Sequence, residues 1–304
     1  NRCFAAQHYE DLYLFHEHFK GIGNGTFIEL GGLDGYSYSV TYFFEVFLGW
    51  KGILIEASPK NYRRFRMMTK HFVPARRRSL SRFHHAAVCS AKHVTFVSKS
   101  GTGAGILDFM SPADQEKNRK ECQEETAEHR RQRLLSRQHA GGAVAGDAPG
   151  SCWLQPVKCV QLGALLARRR VTKVDVFVLD VEGAELEVLH TMDWAAVAVR
   201  FVLVEQSGAD HGKDAEVRCL LRQQGFAPRG VLGLNELWEH PEHRPAGGAA
   251  AASATHTAVD PSNWAGCFAD EALAASGGSL PELADRSSPA VTLEEAAAAA
   301  SDDG

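Results

Sequence analysis

The sequence predicts an α/β protein built on a doubly wound, mostly parallel sheet, with helices on both faces and an antiparallel hairpin at one edge. Three observations predict it. Short aliphatic runs alternate with segments of helical periodicity, the pattern of parallel strands joined by covering helices. The first clear run, FIEL (27–30), opens directly into a glycine-rich turn, GGLDG (31–35). Late in the chain, GFAPRGVLG and NELWEH (225–240) are spaced to close as a hairpin.

The elements follow in order. AAQHYEDLYLFHEHFK (5–20) places Tyr9, Leu12, Phe15 and Phe19 at helical spacing, and the glycines at 21–25 end that helix. TFIEL (26–30) is a buried strand. SVTYFFEVFLG (39–49) is a helix with Ser39 as its N-cap. GILIEAS (52–58) is the second strand, NYRRFRMMTKH (61–71) a basic amphipathic helix, and HHAAVCS (84–90) the third strand. HVTFVS (93–98) is β-prone. Residues 112–137 are charged and helix-prone, and 111–155 reads as a charged helical insertion. VKCVQLGALLARR (157–169) leads into a helix. VDVFVLD (174–180) is the most apolar strand, with a helix over 181–192, and VRFVLVEQ (199–206) is the next strand. A helix over 213–224 precedes the closing hairpin. Residues 1–240 form one domain. From 241 the chain turns Ala/Gly/Ser-rich, too poor in apolar surface to offset the entropy of ordering, and 241–304 reads as a disordered acidic tail.

Charge is uneven. Residues 241–304 hold ten acidic and two basic residues, a net −8, which leaves 1–240 near +4. That balance, with no dense basic stripe, argues against a nucleic-acid partner. No apolar run reaches the length of a membrane span. The seven cysteines are scattered, and their odd number reads as mostly buried or free thiols. Asn24-Gly25-Thr26 matches a glycosylation sequon, but it abuts the first strand and reads as a chance match. Compartment and oligomeric state are left open.

The glycine turn has the layout of a nucleotide-binding loop. In an open parallel sheet, ligands lie beyond the carboxyl ends of the strands, where strand order reverses. Gly31, Gly32 and Gly35 allow a sharp turn and close approach. Yet the pattern is neither GxGxxG nor GxxxxGK[ST], no lysine is present to neutralise phosphates, and Glu29 and Asp34 would repel a pyrophosphate. A zwitterionic nucleoside such as S-adenosylmethionine is not repelled. Loop amides and the helix start at Ser39 can take its carboxylate, and an acid its ammonium. Glu56 ends the second strand, 21 residues beyond Gly35, where an acid accepts hydrogen bonds from ribose hydroxyls. Ala57 adjoins it, and Ala87, a small residue at the third strand, can receive a flat adenine.

Asp180 ends the 174–180 strand and Glu182 follows two residues later. In a doubly wound sheet this turn faces the first loop. Acids there can orient an acceptor hydroxyl or act as general base. Glu205, ending the next strand, could join them in a magnesium-type site. Capping and ion pairing are the plainer roles for such acids, and no metal is assigned.

The residues resemble those of the FkbM-type S-adenosylmethionine-dependent methyltransferases, a branch of the Rossmann-like class I methyltransferases. The pieces that carry the resemblance are FIELGGLDG (27–35), SVTYFFEVFLGWKGILIEASP (39–59), HAAVCS (85–90), PVKCVQLGALL (156–166), VDVFVLDVEGAELEVL (174–189), VRFVLVEQ (199–206) and NELW (235–238). The resemblance implies a seven-stranded sheet with one antiparallel strand from the last hairpin. It implies cofactor contacts from Glu29, Gly31, Gly35 and Glu56, and a catalytic signature at Asp180 and Glu182. It also implies O-methylation of a sugar or other small-molecule hydroxyl, with a small-molecule or glycan acceptor as partner. The chain departs from the family in its 111–155 insertion and at Ser39-Val40-Thr41, where relatives often carry a central Asn. A non-catalytic interaction or trafficking module on the same fold is the alternative. An NAD-type oxidoreductase is disfavoured by Asp34 and the missing GxGxxG.

Overall fold

A computed structural model describes residues 3–71, 78–99, 104–124, 152–206, 211–243 and 257–258. Seven strands form the main sheet: β2 (Thr26–Leu30), β3 (Lys51–Glu56), β4 (Ser81–His85), β9 (Lys173–Leu179), β10 (Ala198–Glu205), β11 (Ala227–Leu232) and β12 (Asn235–Glu239). Their spatial order is β11-β12-β10-β9-β2-β3-β4. All neighbours run parallel except β12, which is antiparallel to both β10 and β11. The antiparallel strand therefore lies one place in from the edge, and β11 takes the edge. A second sheet has the order β5-β8-β6-β7, with β5 at Ala87–Val88, β6 at His93–Ser98, β7 at Gly105–Ile106 and β8 at Trp153–Val160. A two-stranded pair joins β1 (Ile22–Gly23) to β13 (Thr257–Ala258).

The central strands are apolar on both faces, as a sheet covered on both sides requires. On one face Ile28, Leu30, Phe177, Val202 and Val204 pack with Leu165, Leu166, Val188 and Leu221. These come from α5 (Leu162–Arg169), α6 (Glu185–His190) and α7 (His211–Gln223). On the other face Phe27, Val176, Leu203 and Phe201 meet an aromatic group of Phe15, Phe19, Phe43, Phe44 and Trp50. Phe19 stands edge-on to Trp50, Phe44 and Phe201, with centroids 4.8, 5.8 and 5.6 Å apart. Each such side chain, fully buried, contributes about 1.5–3 kcal/mol of transfer free energy.

Several elements depart from expectation. The first helix is α1 (Glu10–Leu14), which widens into a π-helical turn over Phe15–Phe19. The helix placed at 39–49 is α2 (Tyr42–Leu48). Thr41 precedes it, and Ser39 does not cap it because its hydroxyl donates to Glu29. Gly49, at φ 69°, ends α2, its amide donating to the Glu45 carbonyl and the next amide, Trp50, donating to the Phe44 carbonyl. α3 (Pro59–His71) begins two residues earlier than expected. The third strand is β4, and the AV of HHAAVCS leaves the main sheet to pair with β8. Helix α4 spans 112–124, and 125–151 lie outside the described residues. The end of the expected insertion is β8, held antiparallel to β6 from His93↔Lys158 to Ser98↔Trp153. The helix expected from 181 begins only at Glu185, because the Asp180–Ala184 turn carries Glu182 at φ 56° and Gly183 at φ 95°.

The tail expected at 241–304 is not wholly separate. Thr257–Ala258 pairs with Ile22–Gly23, and a 3-10 turn spans Pro241–His243. The rest of it lies outside the described residues. The thiol reading is also corrected. Cys89 bonds Cys159 and Cys122 bonds Cys152, Cys3 is disulfide-bonded, and Cys219 is free. Pairing follows from which strands become neighbours, which the odd count could not show. Among the described residues, no helix is long and apolar enough to cross a membrane.

Candidate active site at the strand-order switch

β2 and β9 lie side by side, and the chain builds outward from them in opposite directions, so the switch point lies at their carboxyl ends. There the first loop meets the turn after β9. Gly31 is at φ 78°, and a Cβ on it would fall on the Asp180 carbonyl oxygen. Glycine is required twice over, for the left-handed backbone and for the contact. The Asp180 amide also donates to the Leu30 carbonyl at 3.4 Å.

The loop folds over the end of β3. The amides of Gly31 and Gly32 donate to the Ile55 carbonyl at 3.0 and 3.4 Å, and that of Gly35 to Gly32 at 2.7 Å. Glu56 ends β3 and is only 5% exposed. Its carboxylate accepts from the Leu33 amide at 2.9 Å and the Ser58 amide at 2.6 Å. Burial pushes its pKa up to about 7 against those donors, and the Asp180 charge adds to the rise. Ala57 is half-buried beside it.

The remaining predicted loop residues are used within the loop. Asp34 accepts from the Tyr36 and Ser37 amides at 3.0 and 2.7 Å and from the Ser37 hydroxyl at 2.9 Å, a self-contained turn. Glu29 accepts from the Ser39 hydroxyl (2.8 Å), the Val40 amide (2.9 Å) and the Thr41 hydroxyl (2.5 Å). Gly35 lies against Phe65, whose ring stacks on Phe83 at 3.8 Å. Ala87 is 1% exposed, packed with Cys89, Val94 and Cys159 in the small sheet.

Arg78 organises this side of the loop. Its Nε donates to Glu45 at 2.7 Å. One terminal nitrogen donates to the Gly35 carbonyl (3.0 Å) and the Ser39 hydroxyl (2.9 Å) and lies 3.4 Å from Glu29. The other donates to the Thr41 hydroxyl at 2.6 Å. Glu45 in turn accepts from the Leu80 and Ser81 amides and the Ser81 hydroxyl.

The carboxyl groups of Asp180, Glu182, Glu185 and Glu205 collect across the switch from Glu56. Asp180 and Glu205 end adjacent strands and share a hydrogen bond in which protonated Glu205 donates. Glu185 reaches back from the first turn of α6 to accept from the Val181 and Gly183 amides at 3.1 and 3.2 Å.

Residues 153–228 match the Methyltransferase FkbM domain. The FkbM segment runs from β8 to the start of β11 and carries Asp180, Glu182, Glu185 and Glu205; the glycine loop and Glu56 precede it. No curated protein matches the chain. Among solved structures, a TehB-like SAM-dependent methyltransferase from Corynebacterium glutamicum aligns at 6% identity with a TM-score of 0.30, covering 72% of this chain and 81% of that one.

Within the FkbM segment the carboxyl groups are electrostatically unequal. Burial, then the Asp180 charge, pushes Glu205 up to about 9, so it is the proton-bearing partner at neutral pH. Burial also raises Asp180, opposed by the bond from Glu205. Glu182 is exposed in its left-handed turn, yet desolvation by its surroundings and the neighbouring Asp180 bring it up to about 7. Among the described residues, no group of three or more His, Cys, Asp or Glu side chains has metal-holding geometry.

Sequence reasoning missed two residues that matter here. Glu185 looks like any first-turn acid. Arg78 closes the run RRR (76–78). Nothing local singles it out, since its partners lie 33 to 49 residues away.

Proposed function

We propose that the chain is an S-adenosylmethionine-dependent methyltransferase that methylates a hydroxyl oxygen on a sugar or other small molecule. One observation carries this reading: the Gly31 loop, the buried Glu56 carboxyl and the Asp180 turn converge at the switch point of an FkbM-matching chain. The residues suit this cofactor better than a pyrophosphate one. The guanidinium beside the loop is already neutralised by Glu29 and Glu45, and the facing side chains are acids. Glu56 is the partner for the ribose hydroxyls, Gly31, Gly32 and Ala57 form the adjoining wall, and Glu29, Asp34, Gly35 and Ser39 hold the loop in shape.

S-adenosylmethionine supplies an electrophilic methyl group on a positively charged sulfur. The protein's own work is alignment and proton removal. Asp180, fixed by the proton on Glu205, orients the acceptor hydroxyl. Glu182, titrating near neutrality, takes the hydroxyl proton as the oxygen–methyl bond forms and the sulfur–methyl bond breaks.

A second reading has its own support. The Gly31, Gly32, Leu33 and Gly35 amides are all bonded within the protein, as are both Glu56 oxygens. A module that kept the fold without the chemistry would have such a closed loop. Titration calorimetry with S-adenosylmethionine separates the two. Binding by the wild type, lost in Glu56→Ala and kept in Asp180→Ala with turnover gone, supports the enzyme. No binding by the wild type rejects it.

A further inference from the structure

We propose that this protein matures in an oxidising compartment and carries an N-linked glycan on Asn24. Two independent observations point there. The first is the disulfides. Cys89–Cys159 ties the end of β5 to β8 across 70 residues of sequence, and Cys122–Cys152 ties α4 to the residue before β8 across 30. All four cysteines are buried within the clusters that pack the small sheet. They link elements that are neighbours in the fold, which is the placement of structural bonds. Such bonds persist where no reducing pool keeps thiols free, and reducing compartments seldom hold them. Closing loops of these lengths stabilises the small sheet by limiting the unfolded chain.

The second observation is the geometry of the Asn24-Gly25-Thr26 sequon. It forms the turn between β1 and β2. Asn24 is exposed and at φ 56°, a conformation asparagine tolerates better than most residues. Gly25 is fixed by packing, since a Cβ there would enter the Trp50 ring. Thr26 opens β2, its amide bonded to Asp175 at 2.8 Å. Gly25 and the left-handed turn have folding reasons, but neither demands asparagine at 24 together with a hydroxyl residue at 26. The sequence alone made this a chance match, because a sequon matters only where the compartment supplies the transfer chemistry. The disulfides change that judgement.

Position also favours the modification. Asn24 lies at the amino end of β2, and the glycine loop lies at its carboxyl end. Five strand residues separate the two by roughly 17 Å at 3.3 Å per residue. A bulky, solvated glycan there leaves the switch-point site uncovered. The donor is a diphosphate-linked oligosaccharide. The Asn24 Nδ2 forms a bond to the anomeric carbon, that carbon's bond to the diphosphate oxygen breaks, and one Nδ2 proton leaves.

Non-reducing peptide mapping of the full chain from its native source, with and without peptide N-glycosidase, tests both parts. The expected result is linked Cys89/Cys159 and Cys122/Cys152 peptides, and an Asn24 peptide found as Asp only after the glycosidase. Free thiols at these four cysteines overturn the compartment and the glycan with it. Intact disulfides with an unmodified Asn24 overturn the glycan. In native cells, Thr26→Ser should keep the glycan and Thr26→Ala should lose it while both keep the disulfides. A glycosylated Thr26→Ala places the glycan elsewhere and rejects the assignment.

Discussion

Replacing Arg78 is the sharpest test of how the loop is held. Its guanidinium pairs with two buried carboxylates, Glu29 and Glu45, and ties both to the Gly35 carbonyl and the Ser39 and Thr41 hydroxyls. Arg78→Met leaves both acids buried without a cation. Breaking a buried pair in this way typically costs about 3–5 kcal/mol. The lower figure applies here, because each carboxylate keeps three other donors: Ser39, Val40 and Thr41 for Glu29, and the Leu80 and Ser81 groups for Glu45. In a domain of this size, about 3 kcal/mol lowers Tm by roughly 6–12 °C. Arg78→Lys keeps the charge but not the planar fork, and should lose about half as much. Thermal unfolding followed by circular dichroism reads both variants. Adding Glu29→Gln to Arg78→Met should recover part of the loss, since it removes one stranded charge. A Tm for Arg78→Met within a degree or two of wild type would show that the guanidinium does not hold the loop.

Three further outcomes are expected. Glu182 as general base requires kcat/KM to rise with pH and level off above about 7, and Glu182→Gln to lower turnover by roughly 10²–10⁴-fold and remove that limb; a surviving limb assigns it to another group. Glu205, raised to about 9 from an ordinary 4.5, keeps its proton in the folded state, so its stabilising contribution is complete below about 4.5 and lost as pH rises through 9. Glu205→Gln keeps a donor to Asp180 without that loss, so its urea midpoint should exceed that of wild type at pH 9 and match it at pH 4. Gly31→Ala should destabilise by roughly 2–4 kcal/mol, through left-handed strain and overlap with the Asp180 carbonyl, and an unchanged denaturation midpoint would contradict that contact.

The parts of the site that were legible are those that local pattern controls. FIELGGLDG announced a strand, a turn needing positive φ and the end of the sheet where ligands bind, and Gly31 and Gly35 have that φ. Glu56 and Asp180 were readable as strand-end acids because an aliphatic run that stops at an acid marks where a buried strand leaves the core. Asp34 and Glu29 lie where the sequence put them. Their charge signalled a ligand, but nearby amides and hydroxyls of the same loop take up their lone pairs. Ala87 lies in the small sheet and not on the third strand of the main one, because β4 and β5 are nearly continuous in sequence and nothing local says that the chain changes sheet between His85 and Ala87.

The sequence by itself determined the α/β alternation, the glycine loop and the strand-end acids, because strand and helix periods and glycine's freedom act over a few residues. The tertiary structure decided what those groups are bonded to. It brought Arg78 to Glu29 across 49 residues, Cys89 to Cys159 across 70, and the ends of β9 and β10 close enough for Glu205 to hydrogen-bond Asp180. Each of these depends on which distant segments become neighbours. Only the strand order of the folded sheet fixes that, and with it which carboxyl groups meet and which cysteines are joined.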